Sequence, residues 1–428
     1  MSNPLDIVIV GAGLSGLAAS IQSALSGHRI TILEAARELA EKWGVYDTLR
    51  GPVEPQTCTV YNYKGKVLAY EDKFDKKIRQ KYGAPFSDCH RVDLQRGLVK
   101  RAEELGVKVV LGARVVNMDT NVAPEDTPDS TASPTLKLAR VTLENGTSYM
   151  ADLIIGADGL WSTTLAHLTT PPTPTASPPL PTGDLAYRIT LPIHQIPLSK
   201  PHLRNLIANP SLRFWIGPAS HVVAYSMRGG NIYNVVLLVP DDLDAGTRRT
   251  AGSVAEMRAL FRGWDPLLTE ILECVDGVDK WKLMHRDELP SWIGDRDNLV
   301  LIGDACHPML PYLAQGANSS IEDGAVLGAL LARDRLGGKD GLPGALRVFQ
   351  RLRKERGERI VRETFKQRRD FHMEDGEEQE RRDRVFEKWL GKERIEEPFP
   401  SRWTCPEVQG WLYGYDAFAE VERVAGAD

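Results

Sequence analysis

The segment DIVIVGAGLSGLAASIQSALSGHRITILEAAR, Asp6 to Arg37, constrains the fold more than any other part of this chain. Ile7 to Val10 form an apolar, β-branched run, the pattern of a strand buried on both faces. Gly11, Gly13 and Gly16 follow as G-x-G-x-x-G, and Leu17 to Leu25 read as a helix ended by Gly27. Arg29 to Leu33 form a second strand that ends at Glu34. In such a strand–turn–helix the first glycine permits the tight turn, the second lets a pyrophosphate approach the backbone, and the third lets helix and strand pack closely. The helix N-terminus offers unpaired N–H groups and partial positive charge to phosphates. Glu34 stands roughly 20 residues beyond the glycines, where a carboxylate accepts hydrogen bonds from ribose hydroxyls. The segment therefore predicts a bound dinucleotide, without distinguishing NAD from FAD.

At 428 residues the chain is long enough for two closely packed domains and an appendage. Its start, MSNPLDIVIVGAG, has no basic n-region and its apolar run breaks at glycines, so it reads as a strand and not a signal peptide. No run of about 18 apolar residues occurs, so no membrane span is expected. The five cysteines are scattered and form no CxxC, which suggests neither a disulfide framework nor a metal site and fits a cytoplasmic setting. A net charge of −5 gives no general attraction to nucleic acid or anionic membrane.

Two further stretches repeat the logic of a strand ending in glycine. YMADLIIGADGLWS, Tyr149 to Ser162, places Asp158 in G-A-D-G. LVLIGDACHPMLPYLAQGANSS, Leu299 to Ser320, places Asp304 in G-D-A-C-H-P with Pro311 beyond. Taken in order, GxGxxG, the DG motif and the GD motif resemble the class A FAD-dependent aromatic monooxygenases, in particular the salicylate hydroxylase branch and its fungal phenol- and polyketide-hydroxylating relatives. The resemblance runs from Asp6 to about Leu330. It implies FAD as cofactor, held by Gly11, Gly13, Gly16, Glu34, Asp158 and Asp304, with Asp304 on a ribityl or ribose hydroxyl. It also implies that the helix starting near Gly316–Ala317 aims its N-terminus at the flavin pyrimidine ring, where reduced flavin is negative. In CHRVDLQRGLVKRA the H-R-x-D-L pattern resembles the family's FAD-contacting arginine, here Arg91, a residue type suited to bidentate phosphate contact.

The sequence departs from that family at two places. After G-A-D-G the family commonly has a serine and, three residues later, an arginine; here Ser162 is followed by Leu165. A glycine-rich segment that relatives carry after the ribose-binding acid is also missing, since Trp43 follows Glu34 by only nine positions. This predicts a less complete flavin wall.

Between Ala186 and Val239 the chain alternates like a meander of strands with a turn at Gly229–Gly230–Asn231. Such a sheet, lying between the DG and GD motifs, matches the layer that covers substrate in the family. Electrophilic hydroxylation of a phenol is faster on the phenolate, so a cation or base near the ring oxygen is expected. Arg188 and His221 are the candidate catalytic residues, at positions the family uses near its substrates. Arg188 would hold a phenolate or carboxylate, and His221 would relay the phenol proton. Tyr225 is a weaker candidate. Beyond Gly344, arginines alternate with Asp and Glu, and Leu346, Phe349 and Leu352 recur at helical spacing. That reads as a solvated helix with one packed face, not a nucleic-acid surface. Trp403, Trp411, Tyr413 and Tyr415 read as a tail docked on the core.

The expected architecture is an α/β chain. A discontinuous Rossmann-like FAD-binding domain (1–185 with 285–340) carries an inserted β-sheet substrate domain (186–284), followed by a helical C-terminal region (341–428). By resemblance, FAD, NADPH or NADH, and O2 act on a small aromatic substrate through a flavin C4a-hydroperoxide, in secondary metabolism. The lack of a second GxGxxG unit fits transient NAD(P)H docking. Alternatives on the same fold are another FAD oxidoreductase, or a truncated, non-catalytic flavoprotein.

Overall fold

The computed structural model describes residues 3–35, 53–122, 138–169, 172, 178–389 and 399–425. The apolar runs of the motifs assemble into one five-stranded parallel sheet. Its order across the sheet is Leu299–Leu301, Leu153–Gly156, Asp6–Val10, Arg29–Glu34, Lys108–Leu111. Ile9 pairs with Ile155 on one side and Ile32 on the other, so the three motif strands are neighbours and end together.

Helix Leu14–Leu25 lies on one face of this sheet, and helix Gly316–Leu330 crosses it at close range. The crossing needs glycine. A Cβ on Gly324 would sit 2.4 Å from the Ala19 nitrogen, and one on Gly328 would sit 2.6 Å from the Gln22 Cβ. The opposite face, with Val8, Val10, Leu33 and Ile154, is covered by an antiparallel meander of Val115–Val122, Leu138–Leu143 and Ser148–Ala151.

A second sheet has eight strands. Its order is Arg249–Gly252, Val278–His285, Leu180–Pro192, Ile232–Pro240, Ser220–Met227, Ser211–Gly217, Thr57–Asn62, Val67–Asp72. The last two come from the range expected to belong to the nucleotide unit, and Leu180–Pro192 runs across position 185. The hairpin joining Ser220–Met227 to Ile232–Pro240 turns where glycines were expected, with positive φ at Arg228, Gly229 and Gly230. Alternation sorts this sheet into two faces. Leu185, Tyr187, Ile189, Val222, Val235 and Leu237 pack outward under helices Pro201–Ala208, Val254–Leu260 and Pro266–Glu273. Ala186, Arg188, His221, Val223, Tyr225, Val236 and Leu238 face the parallel-sheet unit. There Leu310 and Tyr312, from the loop after strand Leu299–Leu301, close on Ala186, Val236 and Leu238.

Helix Leu342–Phe371 joins both units: Leu346 and Phe349 belong to the core of the first and Phe371 to that of the second. Its arginines correct the solvated-helix reading. Arg353 is 0% exposed and Arg356 is buried, because helix Gly316–Leu330 presents Glu322 and Asp323 to them. Among the described residues no helix is long and apolar enough to cross a membrane. A cavity of about 360 Å³ opens among Asp6, His28, Arg29 and Lys108, at the amino ends of the parallel strands. Ligands of open α/β sheets bind outside the carboxyl ends, so this cavity lies away from the motif loops.

Candidate active site

At the carboxyl ends of the parallel strands the three loops lock together. Gly11 donates its N–H to the Leu33 carbonyl at 2.9 Å and has φ +105°. A Cβ there would lie 2.5 Å from the Ala157 carbonyl of the DG loop, and one on Gly16 would lie 2.2 Å from the Gly11 carbonyl. A Cβ on Gly13 would meet only the Ala157 oxygen, at 3.9 Å, so this glycine borders open space. Helix Leu14–Leu25 has no side-chain cap and no acid in its first turn, which leaves its N–H groups to a ligand. Glu34 accepts a hydrogen bond from the Ala12 N–H at 2.8 Å, and Gln95 donates to the Ala12 carbonyl at 2.6 Å, so both brace the glycine loop.

Asp158 organises the DG turn. Its Oδ2 accepts from the backbone and hydroxyls of Thr163 and Thr164 at 2.8–3.2 Å, while its Oδ1 is buried without a partner among the described residues. Leu165 is buried in the core beside this turn, and its N–H is capped by Ser162 Oγ at 3.0 Å. The expected shortened segment after Glu34 falls at 36–52, outside the described residues.

The GD loop packs on the first helix: a Cβ on Gly303 would lie 2.8 Å from Ser15 Oγ. Asp323 ties down both ends of this loop. Its Oδ2 accepts from the Gly303 N–H at 2.8 Å and from His307 Nε2 at 2.5 Å, and its Oδ1 accepts from Arg353 Nε at 2.8 Å. Cys306 Sγ stands in the same group, within 4.8 Å of the His307 and Asp323 ligand atoms. Both Asp323 oxygens are already occupied, and Arg353 would repel a cation there. The loop runs into helix Gly316–Leu330, which begins at Gly316 and Ala317 with no side-chain cap and no acid in its first turn.

Asp304 is half-buried at this junction. Burial raises its pKa, and the charges of His307 and Arg91 offset part of the rise. Arg91 opens helix Arg91–Glu104 and is exposed. The bidentate pair of Arg228 with Asp93, both bonds 2.7 Å, holds this helix to the large sheet's hairpin. Arg188 extends from the inner face of the sheet, with its guanidinium 5.2 Å from the Trp281 ring centre. Burial lowers its pKa, Tyr225 opposes that, and Arg91 and Arg249 add to the lowering. Arg188 is nonetheless exposed to solvent. Among the described residues no hydrogen bond or ion pair engages Asp304, Arg91 or Arg188. Arg91 lies within electrostatic reach of both Arg188 and the Asp304 carboxylate, and guanidinium groups with no anion of their own suit an anionic ligand.

His221 lies elsewhere on the same face. It is 1% exposed, packed against Tyr312, Phe371 and His372, and its Nδ1 is 2.6 Å from His372 Nε2. Burial drives its pKa well below the usual histidine value. Tyr312 donates to Asp184, which Arg368 clamps through bonds of 2.5 and 2.7 Å. Tyr225 is half-buried, and burial raises its pKa, with Asp88 adding to the rise and Arg188 opposing it. The sequence reading missed Gln95 and Asp323, which brace the glycine and GD loops from distant helices.

These features fit an elongated dinucleotide: a glycine cradle with open space, two uncapped helix N-termini, an orphaned Asp158 oxygen and unpaired Arg91 and Asp304. Known proteins agree. A family model described as an FAD binding domain matches residues 38–364, and a second FAD binding domain model matches 6–43. The chain is 44% identical over 434 residues to the FAD-dependent monooxygenase OpS4 of Beauveria bassiana (strain ARSEF 2860), covering 97% of this chain and 96% of that protein. It is 26% identical over 437 residues to 3-hydroxybenzoate 6-hydroxylase of Polaromonas naphthalenivorans (strain CJ2), covering 97% of each. Among solved structures, a salicylate hydroxylase substrate complex superposes with a TM-score of 0.75 at 20% identity, over 99% of this chain and 98% of that one.

Proposed function

Since the chain belongs to the family of FAD-binding monooxygenases, we propose that it hydroxylates a phenolic or aromatic-acid substrate, with FAD as cofactor and NAD(P)H and O2 as co-substrates. The observation that carries this reading is the convergence of the glycine loop, the DG turn and the GD loop at one end of the parallel sheet, with Arg91 and Asp304 unpaired among the described residues and Arg188 within electrostatic reach of Arg91. In this reading Gly11, Gly13 and Gly16 admit the pyrophosphate, and Glu34 stands by the ribose. Arg91, Asp158 and Asp304 hold the middle of the cofactor, and the N–H groups at Gly316 and Ala317 meet the flavin end. FAD, when bound, supplies the redox chemistry and the activation of oxygen.

The remaining work belongs to the chain. Arg188 fixes a phenolate or carboxylate and favours the ionised ring, which is the more reactive form. Tyr312 and Leu310 close the groove against water from the GD loop, and the sheet supplies the opposite wall. His221, paired with His372, seats Tyr312 instead of exchanging protons with substrate. The test is a stopped-flow study of FAD-reconstituted protein with NADH, NADPH and a panel of phenolic acids. A compound that accelerates flavin reduction and leaves as a hydroxylated product supports the reading. Flavin reduction without hydroxylated product from any compound points instead to a dehydrogenase or reductase. Protein that stays colourless after FAD addition overturns the cofactor assignment.

A further inference from the structure

The cavity at the amino ends of the parallel strands has no part in the hydroxylase reading. Its volume of about 360 Å³ falls within the roughly 300–1,000 Å³ of small-molecule pockets. Val8, Thr31 and Lys108 occupy one register row across three neighbouring strands, so their side chains leave the same face of the sheet. Thr31 belongs to an interior strand and is nevertheless only half-buried. The cavity is the gap that leaves it so, with Tyr149 on the last strand of the antiparallel meander as one wall and Leu105, after helix Arg91–Glu104, as another. Three polar groups on this lining make no hydrogen bond or ion pair among the described residues: the Lys108 ammonium, the Thr31 hydroxyl and the Tyr149 hydroxyl. The other charges are compensated. Arg29 donates to Asp6 through bonds of 2.6 and 2.5 Å, and Lys339 donates to the nearby Asp152 at 2.6 Å. His28 accepts from the Leu5 N–H at 3.1 Å, and its Nε2 lies 2.5 Å from the Leu331 carbonyl, so both ring nitrogens are occupied.

We propose that this cavity is a second small-molecule site, which takes a monoanionic aromatic acid with its ring against Tyr149 and its carboxylate on Lys108. Lys108 opens the edge strand Lys108–Leu111, and its ammonium stands 5.9 Å from the Tyr149 ring centre. That is the outer limit of a cation–π contact, so a carboxylate is the stronger partner for the ammonium. The half-buried Tyr149 ring offers a face or edge to a second ring, and Ile30, Leu105 and Val107 line the cavity with hydrocarbon. One uncompensated cation matches one negative charge. A nucleotide would bring two or more charges close to the Asp6 carboxylate, and a neutral ring would leave Lys108 without an anion.

The site is separate from the motif loops. Strand Asp6–Val10 runs from the cavity to Gly11, and its five residues span roughly 17 Å at 3.3 Å each. A ligand beside Asp6 and Lys108 therefore touches neither the glycine loop nor the GD loop. It binds with FAD in place and with the substrate site filled, and its occupancy does not depend on whether the chain hydroxylates anything.

The experiment uses the full FAD-reconstituted chain and equilibrium dialysis against 2-naphthoate, with 2-naphthamide as the neutral probe and AMP as the phosphorylated one. Wild type is expected to show a saturable naphthoate component below about 1 mM. Lys108→Met is expected to weaken that component by about tenfold or more, as for loss of a charge-assisted hydrogen bond, with FAD affinity held within about twofold. Arg188→Met is expected to keep it. Naphthamide is expected to bind about tenfold or more weakly, and AMP is expected not to displace naphthoate. The inference is overturned if no component depends on Lys108, or if the naphthoate bound by wild type is lost in Arg188→Met and kept in Lys108→Met. Naphthamide that binds as well as naphthoate, or AMP that displaces it, overturns the ligand class. Should Lys108→Met fail to fold, the anomalous signal of 4-bromobenzoate in crystals of the wild-type holoprotein decides: bromine between Lys108 and Tyr149 supports the site, and bromine found only elsewhere overturns it.

Discussion

Replacing Asp323 by asparagine removes the charge that holds the GD loop. Asp323 is 0% exposed and accepts from Gly303 N–H, His307 and Arg353. Burial works to raise its pKa, but His307 and Arg353 outweigh burial and hold it at about 2, down from 3.8. At about 1.4 kcal/mol per pH unit, that displacement ties roughly 2–3 kcal/mol of stability to the ionised carboxyl. Asparagine also leaves two buried cations facing each other, and breaking a buried pair costs about 3–5 kcal/mol. The expected loss is therefore about 3 kcal/mol, a large share of a typical 5–15 kcal/mol. The pH dependence has a sign. The Asp323 contribution is present above pH 3.8 and lost as pH falls through about 2. Burial alone would lower His307, yet the Asp323 carboxylate raises its pKa above 6.5, so its contribution is complete below pH 6.5 and lost as pH rises through the raised value. Urea unfolding of wild type and variant should show the full gap near pH 6 and a smaller one near pH 9. Flavin fluorescence should report FAD affinity lowered at least about tenfold, because Gly303 loses its anchor beside Asp304. A gap under about 1 kcal/mol, or one equal at both pH values, would refute the reasoning.

Gly11→Ala places a Cβ 2.5 Å from the Ala157 carbonyl at φ +105°, and the purified protein should be colourless and about 1–3 kcal/mol less stable to urea. Arg188→Met removes a cation of the inner sheet face that has no charged partner among the described residues. The concentration of phenolic acid needed for half-maximal flavin reduction should rise about 10–100-fold with FAD affinity unchanged, as for loss of a charge-assisted hydrogen bond. Arg368→Ala leaves Asp184, 1% exposed, with Tyr312 and the more distant His372 as its side-chain partners among the described residues. Thermal unfolding should show a loss of about 3 kcal/mol, at the low end for a buried pair because Arg368 is one-third exposed.

The glycine loop and the GD aspartate were legible in the sequence because backbone geometry restricts them. No side chain fits at Gly11 or Gly16, and a strand that ends on Gly303–Asp304 can place its carboxylate only at the sheet's carboxyl edge. The sequence named His221, Arg188 and Tyr225 as residues of the sheet region, and the register puts all three on one face. The sequence could not say what covers that face. Tyr312 and Phe371 cover His221, whereas the ground in front of Arg188 is open, and both covering residues come from segments far along the chain. The buried arginines misled for a similar reason. Interleaved Asp and Glu look like solvation partners at i,i+4, yet Arg353 and Arg356 meet Glu322 and Asp323 on another helix.

Those arginines also explain how two separately folded sheets keep one groove between them. Arg353 and Arg368 stand 15 residues apart on helix Leu342–Phe371, roughly 22 Å along its axis. The first grips Asp323, in the unit that carries the GD loop, and the second grips Asp184, on the strand that carries Arg188. Tyr312 of the GD loop bonds the same Asp184. An apolar helix face could slip by one turn, about 5.4 Å, and still bury its side chains. Here the same slip would strand Asp323 or Asp184 without a cation, at a cost of several kcal/mol. The register of the helix therefore sets the distance between Asp304 and Arg188.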